Sequence, residues 1–321
     1  MCGSARHTGF YIDPDLYKFT EEQERTNDTL REAAKSLPPP GSVPAEMLRN
    51  FRLHNKDGSL KPHLVEEAFD EELEVPGLSV LTRVFPVDRP EGIIAHFHGG
   101  GWALGSVYEQ DAYLWQLAQR TRKKVISIDY PLAPNHELGE ILGVAAKALA
   151  ALISSYPDVP FFLAGESAGA NVALNSLLRL RNRKDLFQQI RAASFCYGIY
   201  DLSMTPSQRN WGTDPLGLST PWLEWFYSQV LPNCSRDDRS HPDYSPMYAD
   251  LRGLPPTLFT IGQLDPLLDD TLFLFQKWLA GGNKGELCVY PKAPHGFNGL
   301  STKMADQCNL AISRFLSARL G

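Results

Sequence analysis

Phe161-Phe162-Leu163-Ala164-Gly165-Glu166-Ser167-Ala168-Gly169-Ala170-Asn171-Val172-Ala173 changes character twice along its length. The opening run, Phe161 to Ala164, is apolar throughout and long enough for a strand buried on both faces. The closing residues lead into a helical stripe of Val172, Ala173, Ser176, Leu177 and Leu180. Between them stands G-x-S-x-G, Gly165 to Gly169. Strand, G-x-S-x-G and helix in that order are what a nucleophile elbow requires. A serine at the tip of so sharp a turn sits in strained backbone. Chain passes close on either side, so glycine is needed at Gly165 and Gly169. The helix after the turn aims its N-terminus at the serine and favours negative charge developing there.

Outward from this unit, short apolar strands alternate with amphipathic helices. Leu78–Val87 alternates apolar with polar residues, while Gly92–Phe97 and Lys124–Tyr130 are shorter and more continuously apolar. Helical stripes run through Tyr108–Thr121 and Leu138–Ile153. Further strands are expected at Ala193–Tyr200, Pro256–Leu264 and Gly285–Pro291, with helices near Asp269–Gly281 and Lys303–Arg319. Strands begin near Leu64. The alternation predicts an α/β fold, a mostly parallel eight-stranded sheet covered by helices on both faces. Gly285–Pro291, as the last strand, would form a sheet edge open to pairing with a second copy in a homodimer.

Two segments break this rhythm. Residues 1–52 carry a polar helix at Glu21–Lys35, stopped by Pro38-Pro39-Pro40-Gly41, and a short second helix at about Pro44–Phe51. Neither has the pattern of a core element. Residues 203–245 hold Trp211, Trp222, Trp225, Phe226 and Tyr227 with no evident strand. An insertion after a strand's C-terminal end lies beside the site in such a sheet. The division expected is a helical cap from 1–52 and 203–245 over a catalytic core from 53–202 and 246–321. Trp102, Trp211, Trp222 and Phe226 are the expected substrate-binding aromatics, suited to small or medium apolar or aromatic substrates.

A serine nucleophile needs a base, an acid to orient that base, and donors for an oxyanion. His295 lies in Ala293-Pro294-His295-Gly296-Phe297, just past the last strand. The only other histidine after Ser167 is His241, in the turn-like run HPDYSP. Asp265 ends the strand Pro256–Leu264 and is the expected acid; Asp269 and Asp270 open a helix and read better as N-terminal caps. His98-Gly99-Gly100-Gly101-Trp102 comes directly after the strand Gly92–Phe97. Consecutive glycines are costly in conformational entropy and make sense where bare backbone N–H groups must face a ligand.

Composition narrows the field further. The chain has 321 residues, 43% of them hydrophobic, which is ample for a large core. A net charge of -6 argues against a nucleic-acid or anionic-membrane surface. No stretch reads as apolar enough to span a bilayer, and the N-terminus lacks a secretory h-region. The five cysteines (Cys2, Cys196, Cys234, Cys288 and Cys308) have neither disulfide-framework nor metal spacing. Reduced thiols in the cytoplasm are the expectation, with no cofactor and no metal.

With these residues assembled, the chain resembles the hormone-sensitive-lipase-like (bacterial-type family IV) carboxylesterases of the α/β-hydrolase superfamily. The resemblance runs from about residue 75 to the C-terminus. It rests on His98–Trp102 with Gly105-Ser106, on Asp129-Tyr130-Pro131-Leu132-Ala133-Pro134, and on Gly165–Gly169. Leu254-Pro255-Pro256, Asp265-Pro266-Leu267-Leu268-Asp269 and His295-Gly296-Phe297 extend it. It implies a Ser167, Asp265 and His295 triad, an oxyanion hole from the N–H groups of Gly100, Gly101 and Ala168, and ester hydrolysis through an acyl-enzyme. Amide, lactone or natural-product tailoring hydrolysis would use the same triad. A non-catalytic receptor on this fold would lack the histidine. The chain departs from the family pattern at Glu166, Ala170, Pro131 and Asn135, where Asp, Gly, Arg and Glu are usual.

Overall fold

The computed structural model describes residues 9–54 and 64–318. In chain order its elements are β1 (Gly9–Tyr11), α1 (Thr20–Ala34), α2 (Ala45–His54), β2 (Phe69–Val75), β3 (Leu78–Phe85), β4 (Ile93–Phe97), α3 (Asp111–Thr121), β5 (Lys124–Ile128), α4 (Leu138–Ser155), β6 (Phe161–Glu166), α5 (Ala168–Leu180), α6 (Lys184–Phe187), β7 (Ile190–Cys196), α7 (Pro206–Asn210), α8 (Thr220–Val230), β8 (Thr257–Leu264), α9 (Leu268–Ala280), β9 (Gly285–Pro294) and α10 (Lys303–Ser317). One nine-stranded sheet runs β1-β9-β8-β7-β6-β4-β5-β3-β2. Only β3 pairs antiparallel, with β2 on one side and β5 on the other.

The central strands β4 and β6 are buried along their whole length, as their unbroken apolar runs require. Register aligns the strand ends. Phe97 lies opposite Gly165, Glu166 opposite Cys196, and Leu264 opposite Pro294. The C-terminal ends of β4, β6, β8 and β9 therefore come out together on one side of the sheet. That is where the glycine loop, the serine, the aspartate and the histidine begin.

The eight strands expected from the sequence are β2 to β9, and the ninth is the departure. β1 pairs parallel with β9, Gly9 opposite Glu286 and Tyr11 opposite Cys288. The last strand is therefore not a sheet edge, and the edge-to-edge dimer expected there would first have to displace β1. For the same reason the N-terminal segment is not wholly a cap, since its first described residues join the sheet. The opposite edge is β2, whose sequence FDEELEV is mostly exposed. Acidic residues along an edge deter pairing with another chain.

A second correction concerns α4. Its 18 residues have a mean hydropathy of 1.5, long and apolar enough to cross a membrane by length and composition, contrary to the sequence expectation. Ile141, Leu142, Ala145, Leu149 and Ile153 are instead fully buried in the core.

The remaining segments are held down by side chains. On α1, Gln23 and Asn27 are buried although polar. Asn27 Nδ2 donates to the Lys292 carbonyl at 2.8 Å, and Gln23 Nε2 donates to Asn27 Oδ1 at 3.0 Å. Arg31 makes a two-pronged contact with Asp214 of the insertion, at 3.0 and 2.9 Å. On α2, Arg49 Nη1 donates to the carbonyls of Ala103 and Ala133, bracing the glycine loop from outside. Asp270 ties the insertion to the core. Its carboxylate accepts from the N–H groups of Tyr200 and Asp201, from Thr205 Oγ1 and from Gln208 Nε2. Burial nonetheless pushes this carboxyl up to about 7.

Candidate active site

Ser167 is the N-cap of α5, with φ 55° and ψ −123°. A non-glycine residue there carries strain on the order of 1–3 kcal/mol. The turn is tight enough that an added Cβ at Gly169 would land on the Phe97 carbonyl oxygen. The Ser167 N–H donates to the Cys196 carbonyl at 2.9 Å, fastening the turn to β7.

Three side chains meet at the C-terminal ends of the strands. His295 Nε2 lies 3.0 Å from Ser167 Oγ, and His295 Nδ1 lies 2.9 Å from Asp265 Oδ2. This suits Nδ1–H donating to the carboxylate and Nε2 accepting from the hydroxyl. The other oxygen, Asp265 Oδ1, accepts from the Leu267 N–H at 2.8 Å. Asp265 is buried, whereas the His295 side chain keeps 13% of its surface. The imidazole packs edge-to-face on Tyr197, ring centres 4.8 Å apart. Burial holds the Tyr197 hydroxyl well above its ordinary pKa, so it stays a neutral donor, and it donates to Asn298 Oδ1.

The glycine loop is shaped from both sides. Gly100 and Gly101 have φ values of 119° and 60°. A Cβ at Gly101 would fall inside the Phe226 ring. Among the described residues, no hydrogen bond uses the N–H of Gly100 or Gly101, and Ala168, first in its helix, has no intrahelical acceptor. His98 braces the loop: its ring stacks on Tyr130 at 4.3 Å, and the Tyr130 hydroxyl donates to the His98 carbonyl at 2.5 Å.

Gly100, Gly101, Ser167 and His295 line a cavity of about 290 Å³. Ile199, Leu218, Leu223 and Phe226 form its apolar wall. Of the four aromatics expected to bind substrate, only Phe226 lines it. Trp102 is fully buried beneath the loop, its ring tilted against Tyr227. Trp211 donates from Nε1 to the Asp214 carbonyl, and Trp222 packs on Trp225 and Phe226, both outside the cavity walls. An aromatic cluster at helical spacing serves first to fold the insertion. Among the described residues, no group of three His, Cys, Asp or Glu side chains could hold a metal ion.

Residues 94–299 match the model of a family described by its alpha/beta hydrolase fold. An acetyl esterase of Salmonella schwarzengrund is 32% identical over 251 residues, 75% of this chain and 77% of the relative. The acetyl esterase of Salmonella typhi is 31% identical over 258 residues, 77% of this chain and 79% of the relative. The chain belongs to this α/β-hydrolase family and is a carboxylic ester hydrolase. Among solved structures, a hyperthermophilic esterase from the archaeon Pyrobaculum calidifontis superposes with a TM-score of 0.81 at 24% identity, covering 96% of this chain and 98% of that one. A hormone-sensitive lipase from a metagenome library gives 0.80 at 24% identity, covering 93% and 98%.

In this carboxylesterase, several residues around the cavity escape a reading of the sequence. Tyr197 and Asn298 position His295 but belong to no motif. Arg52 and Gln110 reach the cavity from α2 and the start of α3. Glu166 is visible as a departure from the family pattern, but its partner is not. His96, on the neighbouring strand, lies 2.7 Å from Glu166 Oε2 through its Nε2 and 2.9 Å from Ser127 Oγ through its Nδ1. The signal was a histidine inside an otherwise apolar strand.

Proposed function

We propose that the protein is a serine esterase that hydrolyses small esters through an acyl-enzyme on Ser167. The observation that carries this is the continuous hydrogen-bonded line Ser167 Oγ, His295 Nε2, His295 Nδ1 and Asp265 Oδ2, at 3.0 and 2.9 Å, opening on a cavity beside the glycine loop. His295 Nε2 takes the hydroxyl proton as Oγ attacks the ester carbonyl. Asp265 holds the ring in the required tautomer and stabilises the imidazolium. The carbonyl oxygen, now negative, accepts from the N–H groups of Gly100, Gly101 and Ala168. His295 gives the proton to the leaving alcohol, and water releases the acid by the same steps in reverse.

Residues 12–52 and 203–245 act as the cap over this centre; residues 1–8 of the expected cap lie outside the described residues. The acyl group lies against the apolar wall of Ile199, Leu218, Leu223 and Phe226. The relatives named acetyl esterases and the small cavity both favour a short acyl group. We place the enzyme in the cytoplasm, where Cys196, Cys234 and Cys308 would stay reduced thiols.

Hydrolysis of p-nitrophenyl esters of increasing acyl length, by wild type and Ser167→Ala in parallel, tests the reading. The expected result is fastest turnover at acetate or butyrate, lost in the variant. Turnover that survives Ser167→Ala would overturn it.

A further inference from the structure

β4 and β6 each carry one polar side chain in an otherwise apolar strand, and the two meet. The side chains of His96 and Glu166 are 0% and 3% exposed. Parallel register explains the meeting. His96 stands opposite Ser127 on β5 and Ala164 on β6, and Glu166, two residues beyond Ala164, projects from the same face. The imidazole therefore reaches Ser127 Oγ at 2.9 Å through Nδ1 and Glu166 Oε2 at 2.7 Å through Nε2. Gln110 Nε2 is a second donor to the same oxygen, at 3.3 Å.

A polar pair in the core of a sheet is unfavourable unless its hydrogen bonds are made. For stability alone, apolar residues of similar volume often serve as well. What the pair adds follows from where it sits. His96 is two residues before His98, which opens the glycine loop, and Glu166 directly precedes Ser167. The backbone ladder between β4 and β6 ends at Phe97 opposite Gly165. Past that rung, one chain becomes the glycine loop and the other the nucleophile turn. The loop's outer anchors are Arg49 on the Ala103 and Ala133 carbonyls and the Tyr130 hydroxyl on the His98 carbonyl. These tie it to α2 and to the segment after β5, not to β6. Among the described residues, the His96–Glu166 bond is the side-chain tie between the strand that leads to the loop and the strand that leads to the serine. The length of the glutamate arm matters, because a carboxyl one methylene shorter would withdraw by about 1.5 Å. Ser127 Oγ can accept from His96 Nδ1 or donate to it, so the tie keeps its bonds with or without a second proton on the ring.

We propose that this bond sets the separation between the oxyanion donors and Ser167 Oγ, which makes His96 and Glu166 positioning residues for the tetrahedral step. The assignment rests on the serine esterase reading above. The Ala168 N–H belongs to the same turn as the serine, whereas those of Gly100 and Gly101 belong to the loop after β4. All three donors converge on one oxygen only when the two parts stand at the right distance. A displacement of about 1 Å is enough to cost on the order of a hundredfold in rate.

The test measures p-nitrophenyl acetate hydrolysis by wild type, Glu166→Asp, His96→Leu and the double variant, with circular dichroism and urea midpoints confirming that each folds. The expected kcat/KM falls by about tenfold in Glu166→Asp and by about a hundredfold in His96→Leu. The double variant should be no slower than His96→Leu, since both changes break one bond. Inhibition supplies a readout that a merely structural role would not move. Ethyl trifluoromethyl ketone takes Ser167 Oγ at its carbonyl carbon; the hydroxyl proton passes to His295 Nε2 and the ketone oxygen becomes the oxyanion. Ethyl methyl ketone has nearly the same shape and stays a ketone. The Ki of the first should rise by the factor by which kcat/KM falls, while the Ki of the second stays where it is. If both Ki values rise together, the variants deform the cavity as a whole and the positioning role is overturned. Losses that multiply in the double variant overturn it too. Should His96→Leu fail to fold, Glu166→Asp, which only shortens the arm, decides by its rate and its two Ki values. Ser167→Ala separates the two ideas. Turnover that survives in it removes the esterase reading and the positioning role together. Turnover lost in Ser167→Ala but intact in Glu166→Asp and His96→Leu removes the positioning role alone.

Discussion

The turn around Ser167 and the cover above it enclose the same cavity and are built in opposite ways. The turn is made by backbone. β6 and α5 are continuous in the chain, the glycines beside the serine admit neighbouring carbonyls, and the serine N–H is tied to β7. The cover is made by side chains from distant segments, such as Arg31 on Asp214, Arg49 on two loop carbonyls, and the donors gathered on Asp270. Backbone construction tolerates almost no substitution and leaves a local signature. Side-chain construction can loosen one contact at a time and leaves little trace in sequence.

The largest effect should come from the turn itself. Ser167→Ala is expected to lower kcat by up to about a million-fold with no change in circular dichroism, and His295→Ala by a similar amount. Because the groups act as a unit, the double variant should be no worse than either alone, which stopped-flow or long-incubation assays would show. Gly101→Ala comes next. The new methyl would displace either the loop or Phe226, and we expect a loss of about 100-fold in kcat. Adding Phe226→Ala should recover part of that loss. Absence of any recovery would mean that the cover does not press on the loop.

Asp270→Asn probes the strongest anchor of the cover. Replacing an oxygen that receives two donors should lower unfolding free energy by about 2 kcal/mol, measured by urea titration. The pH dependence has a definite sign. The folded carboxyl titrates near 7, above an unfolded aspartate at about 3.9, so the folded state holds the proton more tightly. That contribution is complete below about pH 4 and is lost as pH rises through about 7. The stability gap between wild type and Asp270→Asn should therefore narrow between pH 5 and pH 8; a widening gap would reverse the assignment. Arg31→Ala should have the smallest effect, below about 1 kcal/mol and smaller still at high salt, since the Arg31–Asp214 pair is part-exposed. Arg31 also holds the Asp214 carboxyl below its usual range by hydrogen bonding to it, so what the pair contributes should fade as the solution is made strongly acidic.

The same contrast governs what could be read in advance. Phe161–Ala173, the glycine loop, Asp265 and His295 were legible because each joins a strand end to a chemical requirement, and register brings those ends together. Gln23 and Asn27 were not, because buried polar residues that pair with each other and with backbone leave α1 without an apolar stripe. β1 is three residues long, too short for any periodicity to register. β2 is polar because it is an edge. The tryptophans misled because aromatic residues near a site and aromatic residues at a site have the same composition; of the four expected aromatics only Phe226 reaches the cavity.

The pairing of β1 with β9 also imposes an order of events on the chain. Gly9 meets Glu286 across almost the whole polypeptide, a closure whose entropy is offset only after the intervening sheet exists to receive it. During synthesis the first strand must wait until the ribosome has delivered the last one. Until then β1 has no partner, and the newly made sheet carries a bare flank at β8 that other nascent chains can reach. β1 is in this sense a latch that closes last, and amide protection at Gly9–Tyr11 should appear after that of β4 and β6 in a pulse-labelled refolding experiment.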